Sequence, residues 1–232
     1  MDAVILAAGL GTRLRPHTLT TPKPLLKVQG RPILDWTLGA LPRDVIRVIV
    51  VTHYLAEQVD AYLRTQTHFK DWVTVPQGTP QGTGDAFRKC RSQIRSSKIM
   101  VLNGDDLFGA ADLATLAACP AGVIVTQVQE PKKFGIAFLK PDGTLEKLVE
   151  KPELPAPQLA NTGAYLFPAD VFRFEIGLSK RGEYEITDYV SQLAAARPFH
   201  VVRSTFWFPI GDEAAWNAAQ SMDLASVLTA ER

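Results

Sequence analysis

Two glycines and three cations follow the first apolar segment of the chain. Gly9 and Gly11 stand two residues apart, Arg13 and Arg15 come next, and Lys23 follows between two prolines. Glycine lets a backbone approach an anion closely, and the N–H groups of such a turn can form a concave anion site. Arginine adds a fork of donors and lysine a mobile point charge. The pattern indicates a loop that binds phosphates, although a tight turn with surface cations has the same composition.

The loop does not match the two common nucleotide motifs. Leu14 stands where the dinucleotide fingerprint needs its third glycine, and Pro16 would interrupt a helix that began in the loop. No Gly-Lys-Ser/Thr sequence follows, which excludes a Walker loop.

Two further polar stretches could act with this loop. Asp105 and Asp106 follow the apolar residues 98–102, and carboxylates at a strand end suit Mg²⁺, although an Asx turn is the plain alternative. Gln77 begins the glycine-rich stretch 77–84. Its amide offers a donor and an acceptor together. A turn without a ligand is the competing interpretation there.

The first half of the chain predicts the elements that position these residues. Buried strands alternate with segments of helical spacing. The strands are predicted at residues 3–6, 45–51, 72–75, 98–102 and 122–127, and the helices at residues 32–41, 55–63, 85–94 and 112–118. This alternation indicates an α/β fold, a mainly parallel sheet with helices on both faces. Because ligands bind at the carboxyl ends of such strands, the glycine loop and Asp105 are expected to share one mouth.

The pattern changes after about residue 130. A hairpin is predicted at residues 134–139 and 145–149, followed by a strand at 164–167, a helix at 185–196, a strand at 200–203 and a helix at 213–227. We therefore expect one domain over residues 1–232, with a nucleotide-binding lobe at about 1–130 and a smaller, more antiparallel lobe at about 131–232.

Composition excludes several classes of function. The 232 residues are 46% hydrophobic, which is enough for one substantial core. A balance of 25 basic and 24 acidic residues argues against bulk nucleic-acid binding. Two distant cysteines predict no disulfide framework and a reduced, cytoplasmic setting, and the four histidines lack metal-ligand spacing. Neither a signal peptide nor a membrane-spanning segment is apparent, so no membrane partner is expected.

Residues 6–25 (LAAGLGTRLRPHTLTTPKPL) as a whole resemble the signature of the sugar-1-phosphate nucleotidyltransferases, also called nucleotide-sugar pyrophosphorylases. The resemblance implies a Rossmann-like (GT-A-like) fold, and transfer of a nucleotidyl group from an NTP to a sugar 1-phosphate with release of pyrophosphate. It implies catalytic roles for Arg13, Lys23 and Asp105, with Mg²⁺ on Asp105. The residues it assigns to nucleotide binding are Leu6, Ala8, Gly9, Gly11, Thr12, Arg13, Gln77, Gly82, Thr83 and Asp105.

Later segments extend the resemblance. Residues 77–84 are similar to the family's Q-x-x-P-x-G-T-A, with Gly84 where alanine is common, and this segment favours UTP or dTTP. Glu150-Lys151-Pro152 and Asn161-Thr162-Gly163 match the sugar-site motifs E-K-P and N-x-G. The residues assigned to the sugar phosphate are Gly135, Glu150, Lys151 and Asn161. Residues 182–188 resemble a further segment near this pocket.

One segment departs from the family pattern. Many relatives read W-x-D-x-G-T and use that aspartate as a second metal ligand, but here the stretch is Trp207 to Asp212 with Pro209 in its place. Asp212 could reach the metal instead. Alternatively, Asp105, phosphates and water could hold Mg²⁺ alone, or catalysis could be impaired.

Two other functions stay open at this point. The same fold could act on phosphocholine, or the chain could be a non-catalytic regulatory relative that binds nucleotide. The family resemblance runs to about residue 219, so we expect neither the appended left-handed β-helix nor the acetyltransferase activity of bifunctional relatives. The identity of the sugar and the oligomeric state are not specified by these motifs.

Overall fold

The computed structural model describes residues 1–230, in which short strands and helices alternate along most of the chain. The strands are β1 (Asp2–Leu6), β2 (Lys27–Val28), β3 (Arg31–Pro32), β4 (Arg47–Thr52), β5 (Asp71–Pro76), β6 (Lys98–Asn103), β7 (Asp106–Phe108), β8 (Gly122–Val128), β9 (Gly135–Leu139), β10 (Leu145–Glu150), β11 (Gln158–Pro168), β12 (His200–Arg203) and β13 (Trp207–Pro209). The helices are α1 (Ile33–Ala40), α2 (Ala56–Thr65), α3 (Thr83–Lys89), α4 (Ala110–Ala118), α5 (Ile186–Ala196), α6 (Glu213–Ala219) and α7 (Leu224–Leu228).

A nine-stranded mixed sheet forms the centre, in the order β10-β9-β11-β6-β1-β4-β5, with β8 paired to β11 and β12 paired to β8. The pairs β1–β4, β1–β6, β4–β5 and β8–β12 are parallel, whereas β11 is antiparallel to its neighbours β6, β8 and β9. The α/β sheet predicted from the alternating pattern is therefore confirmed.

The sheet separates two apolar layers. In β1, Ala3 and Ile5 contact the layer that contains α1, α2 and α4, while Val4 contacts the layer that contains α3 and α5. All three residues are fully buried. Such burial on both faces explains why the first strands are continuous apolar runs rather than alternating ones.

Several predicted boundaries differ from those in the structure. The predicted helix at 213–227 is two helices, α6 and α7, and Asp223 accepts from the Ser226 N–H at the start of the second. The helix predicted at 85–94 ends at Lys89 and is followed by a 3₁₀ turn at Arg91–Gln93. The strand predicted at 164–167 is the end of the longer β11, whose register with β8 shifts between Asn161 and Tyr165.

A small antiparallel pair, β7 with β13, was not expected from the sequence. These strands are three residues each, and one contains a proline, so neither gives a periodic signal. Their register sets Pro209 opposite Asp106, and the Ile210 N–H donates to the Asp105 carbonyl at 3.2 Å. The pair thus brings the C-terminal part of the chain beside the two aspartates.

A buried carboxylate in α4 holds the segment that leads into β13. Asp112 accepts hydrogen bonds from the backbone N–H groups of Thr205 (2.8 Å) and Phe206 (3.0 Å). It also accepts from the Ser204 and Thr205 hydroxyls at 3.2 and 2.8 Å. These hydrogen bonds anchor residues 204–206 to α4.

None of the helices within residues 1–230 has both the length and the apolar character required to cross a lipid bilayer.

Candidate active site

The glycine loop leaves the end of β1 and folds back on itself through two 3₁₀ turns, Thr12–Leu14 and His17–Leu19. Gly11 has a φ of +61°, and the Thr18 hydroxyl donates to the Gly11 carbonyl at 2.8 Å. A Cβ at Gly11 would lie 2.9 Å from Thr18 Cγ2 and 3.2 Å from Lys23 Cβ. Glycine is therefore needed for both the backbone conformation and the close packing that brings Lys23 beside the loop.

Lys23 and Asp105 form an ion pair although they are 82 residues apart in sequence. The Lys23 Nζ lies 2.6 Å from Asp105 Oδ2, and the side chains are 9% and 45% exposed respectively. Asp105 is positioned by the adjacent Gly104, whose N–H donates to the Leu6 carbonyl at 2.9 Å. The parallel pairing of β1 with β6 thus brings the loop cation and the carboxylate to the same edge of the sheet.

A cavity of about 470 Å³ opens at this edge. Its volume falls in the range of small-molecule sites. The cavity is lined by each of the ten residues assigned to nucleotide binding by resemblance, and by Lys23. The other lining residues are Ala7, Leu14, Pro24, Pro80, Ala86, Asn103, Gly104, Arg181, Glu183, Glu185 and Gly211.

The wall formed by residues 77–85 is built around Gln77. Its Nε2 donates to the Gly82 carbonyl at 3.0 Å and to Asp85 Oδ2 at 3.2 Å. A Cβ at Gly82 would meet the Tyr184 carbonyl at 2.4 Å. The backbone of residues 184–185 therefore packs directly against this wall.

The segment 179–185, which overlaps the resembling residues 182–188, supplies three charged residues to the pocket, and one of them, Arg181, was not predicted from the sequence. Arg181, Glu183 and Glu185 line the cavity. The Arg181 Nη2 lies 2.6 Å from Glu185 Oε1, and this hydrogen bond raises the pKa of the Arg181 guanidinium. Arg181 Nη1 also lies 3.6 Å from Glu150 Oε1, so one arginine connects the cavity to the predicted sugar-phosphate residues.

The residues assigned to the sugar phosphate form a second cluster beside the cavity. Glu150 pairs with Gly135 across β9 and β10, and a Cβ at Gly135 would lie 3.1 Å from Glu150 Oε2 and 4.0 Å from Asn161 Nδ2. Asn161 is held by its bonds to the Tyr165 hydroxyl (2.6 Å) and the Gly163 N–H (2.9 Å). Lys151 adopts a φ of +45° and lies 3.7 Å from Glu150. Positive φ in a non-glycine residue is a strained conformation of the kind found at functional sites.

The neighbouring carboxylates differ in environment. Asp106 is buried, and its desolvation, together with the nearby charge of Asp105, raises its pKa well above the ordinary value. Its Oδ2 accepts a long hydrogen bond of 3.4 Å from Asn103 Nδ2. Asp212 caps α6, where its Oδ1 accepts from the Ala215 N–H at 2.9 Å, and it does not line the cavity. The structure therefore gives no support to Asp212 as the metal ligand that would replace the aspartate missing at Pro209.

Asp105 is the acidic residue best placed to hold a magnesium ion. Within the part of the chain that the structure describes, no group of three or more His, Cys, Asp or Glu residues could hold a metal. Mg²⁺ usually takes one or two carboxylates and completes its shell with substrate phosphates and water. A half-exposed Asp105 that lines a cavity of small-molecule size fits that mode, in which most ligands come from the substrate.

The model of one family, the nucleotidyl transferases, matches residues 2–226. The bifunctional protein GlmU of Methanocaldococcus jannaschii is 31% identical over 214 residues, covering 91% of this chain and 51% of that protein. A bifunctional sugar-1-phosphate nucleotidylyltransferase/acetyltransferase of Sulfurisphaera tokodaii is 28% identical over 224 residues, 94% of this chain and 53% of that protein. The chain thus spans about half the length of these relatives.

Solved structures show the same architecture. A Bacillus anthracis protein described as a glucose-1-phosphate thymidylyltransferase, crystallised with sucrose, has a TM-score of 0.81 at 25% identity and covers 96% of both chains. A UDP-glucose pyrophosphorylase complexed with UDP-glucose has a TM-score of 0.83 at 22% identity, covering 94% of this chain and 96% of that one. At this identity the second comparison shows the fold alone.

The fold is that of the Rossmann-like nucleotidyltransferases. The chain belongs to the nucleotidyl transferase family, and the resemblance seen in residues 6–25 is confirmed.

Proposed function

We propose that this protein transfers a nucleotidyl group from an NTP to a sugar 1-phosphate, giving an NDP-sugar and pyrophosphate. The observation that carries the proposal is the Lys23–Asp105 pair, set in a cavity whose wall is the glycine loop. The names of the relatives from M. jannaschii and S. tokodaii, which are bifunctional proteins of twice the length, are consistent with it.

The chemistry requires no protein nucleophile, because the attacking group is already a phosphate anion. An oxygen of the sugar phosphate attacks the α-phosphorus of the NTP, a new P–O bond forms, and pyrophosphate leaves with the electrons of the broken bond. The protein must bring two anions together and hold them in line. We assign Arg13 and Lys23 to the triphosphate, Lys151 to the sugar phosphate, and the polar groups of Glu150 and Asn161 to sugar hydroxyls.

Mg²⁺ bound at Asp105 would neutralise phosphate charge during the transfer. The Lys23 ammonium lies against Asp105, so it is held beside the carboxylate that we assign to the metal and the triphosphate. Because the Lys23 side chain is 9% exposed, it loses little further conformational freedom when a phosphate binds, and this favours precise positioning of its ammonium.

The nucleotide we propose is UTP or dTTP, since Gln77 and Gly82 line the cavity as expected for a pocket that reads a uracil or thymine edge. The acceptor we propose is a hexose 1-phosphate. Glucose 1-phosphate is the first compound to test, because the two solved neighbours are described as enzymes of glucose 1-phosphate or UDP-glucose.

Pyrophosphate release over a matrix of NTPs and sugar 1-phosphates tests the proposal. With the best pair at saturation, we expect Lys23→Ala and Asp105→Ala each to lower turnover about a thousandfold, which corresponds to about 4 kcal/mol. Lys89→Ala removes an exposed lysine from α3, outside the cavity, and serves as the matched control. Full turnover in both site variants would rule out these assignments.

A second function is favoured by one observation, the proline at the position of the second metal aspartate. A non-catalytic relative that binds nucleotide would release no pyrophosphate anywhere in the matrix, yet would still bind UTP or dTTP in calorimetry. Phosphocholine belongs in the same matrix as an acceptor, and turnover with it alone would replace the sugar phosphate.

A further inference from the structure

The Gln77 amide is held through its nitrogen alone. Its Nε2 contacts the Gly82 carbonyl at 3.0 Å and Asp85 Oδ2 at 3.2 Å. A primary amide nitrogen carries two N–H groups, so these two acceptors use both of them. The Gln77 Oε1 accepts no hydrogen bond from any residue between 1 and 230. Gln77 therefore presents an acceptor, and no donor, to the cavity that it lines.

Asp85 prevents the opposite orientation of this amide. Its side chain is 1% exposed, and its second oxygen, Oδ1, accepts from Arg88 Nη2 at 3.0 Å. Both neighbours of the Gln77 nitrogen, a carboxylate and a backbone carbonyl, can only accept. A flipped amide would set Oε1 against two acceptors, whereas the observed orientation makes two hydrogen bonds.

The neighbouring backbone supplies a donor. The Gly82 N–H makes no hydrogen bond to the described part of the chain, and Gly82 lines the same cavity as Gln77. Its φ of +103° and the proximity of the Tyr184 carbonyl leave room for glycine only. An acceptor from a side chain and a donor from the backbone therefore border one side of the cavity.

We propose that Asp85 is a positioning residue that sets base selectivity. By fixing Gln77, it favours a base that offers an N–H beside a carbonyl, as uracil and thymine do at N3 and O4. Cytosine has the reverse order, an unprotonated N3 beside an amino group. Its N3 would face the Gln77 Oε1, which is also an acceptor, and its amino group would face the Gly82 N–H, which is also a donor. The inference rests on the proposed function in one respect, that the cavity takes a nucleotide.

Calorimetric binding of UTP and CTP, without a sugar phosphate, tests this role. These rings are equal in size and differ at this edge alone. We expect the wild-type protein to bind UTP about 100-fold more tightly than CTP, from the discrimination typical of a paired donor and acceptor. In Asp85→Asn the new amide can donate to the oxygen of a flipped Gln77, so only the Gly82 carbonyl still opposes that orientation, and the flipped orientation becomes more accessible. The preference should then fall about tenfold, mainly because CTP binds more tightly.

The control is Asp112→Asn, the same change at another buried carboxylate in the first turn of a helix. Asp112 holds residues 204–206 and does not contact Gln77, so this variant should lose stability while it keeps the preference for UTP. If the role of Asp85 is merely structural, Asp85→Asn should weaken the binding of UTP and of CTP by the same factor, so that the preference for UTP is kept, as in Asp112→Asn. That result would overturn the proposal.

A measurement on the wild-type protein covers the case in which Asp85→Asn fails to fold. Equal affinity for UTP and CTP, or full affinity for N3-methyl-UTP, which lacks the N3 proton, contradicts the inference. Pyrophosphate release is scored separately. A preference for UTP that Asp85→Asn lowers, in a protein without turnover, would reject the proposed reaction and uphold the role of Asp85. Turnover with a preference that Asp85→Asn leaves unchanged would do the reverse.

Discussion

At the scale of single residues, the position of Lys23 at the end of the loop after β1 depends on a close contact with Gly11. Lys23 is brought to Asp105 because its Cβ can pack next to Gly11, where no side chain intervenes. The Thr18 hydroxyl then fixes the Gly11 carbonyl. The cation at the site is therefore positioned by a glycine twelve residues before it in the chain.

Replacing Gly11 by alanine should lower both the free energy of unfolding and the turnover, for two different reasons. The left-handed conformation costs an L-residue about 1–2 kcal/mol, so the free energy of unfolding should fall by about that amount. The new Cβ would also press on Thr18 and Lys23, so turnover in the pyrophosphate assay should drop at least about tenfold, the equivalent of roughly 1.4 kcal/mol.

Gly30→Ala is the matched control for this variant. Gly30 has a φ of +80° in the turn between β2 and β3, and a Cβ there would meet nothing within 4 Å. Urea unfolding should show a similar loss of stability in both variants, with turnover kept in Gly30→Ala. Equal turnover in the two variants would show that the Gly11 contact does not position Lys23.

The types of the site residues were predictable, but many of their partners were not. The glycines, Lys23 and Asp105 were found because the motif is local, and their meeting followed from the expected parallel strands. Asp85, in the first turn of α3, contacts Gln77 in the segment before that helix, and Arg181 contacts Glu150 from a distant part of the chain. Such contacts depend on side-chain geometry, which residue spacing does not encode.

At the scale of elements, α1 and α2 are joined by one acidic side chain. Asp35 in α1 accepts hydrogen bonds from Arg31 Nε at 2.7 Å and from the Tyr62 hydroxyl in α2 at 2.6 Å. It also lies 3.1 Å from His68 Nε2. Partial burial alone would raise the pKa of Asp35, but the hydrogen bonds from Tyr62 and Arg31 and the charges of Arg31 and His68 lower it overall.

A lowered pKa in the folded protein means that Asp35 stabilises the fold above its ordinary pKa of 3.8 and loses this effect as the pH falls through the folded value. Urea unfolding of wild type and Asp35→Asn should therefore differ most near neutral pH, and the gap should narrow between about pH 5 and pH 2. Tyr62→Phe, which keeps the carboxylate but removes one donor, should show a smaller version of the same trend. A gap that stays constant with pH would contradict this account.

Short elements were harder to predict than long ones. The parallel strands and α5 follow from sustained apolar patterns, and their positions agree with those predicted to within a few residues. By contrast, β7 and β13 are too short for any periodicity, and the hydrogen bonds from Asp112 to residues 204–206, which precede β13, depend on tertiary contacts that the sequence pattern does not show. The C-terminal helix was predicted as continuous because its apolar spacing persists through the break at residues 220–223.

At the scale of the whole molecule, β11 connects the two halves of the chain. Its last residues, Ala164–Pro168, pair with β6 on one side, β8 pairs with residues 158–161 and 165–166, and Ala160 pairs with β9. The cavity residues of the first half and the Glu150 cluster of the second half are therefore carried by one hydrogen-bonded sheet.

A continuous sheet predicts a single cooperative unfolding transition. Far-ultraviolet circular dichroism and tryptophan fluorescence should give the same midpoint in urea. All four tryptophans pack in or against the apolar layer of α1, α2 and α4, whereas the circular dichroism signal reports on the secondary structure of the whole chain. Two separate midpoints would indicate lobes that unfold independently.

The packing of residues 184–185 on the wall formed by residues 77–85 also bears on how this segment can vary. The motif that residues 77–84 resemble ends in alanine where this chain has Gly84, but here a Cβ would lie 2.5 Å from Ile176 Cδ1 and 2.8 Å from the Glu185 carbonyl oxygen. The Gly84 N–H also donates to the Tyr184 carbonyl at 2.8 Å. An alanine would fit only if the 176–185 segment moved. We therefore expect position 84 and this distant segment to be epistatic, and Gly84→Ala alone should disturb the wall that contains Gln77.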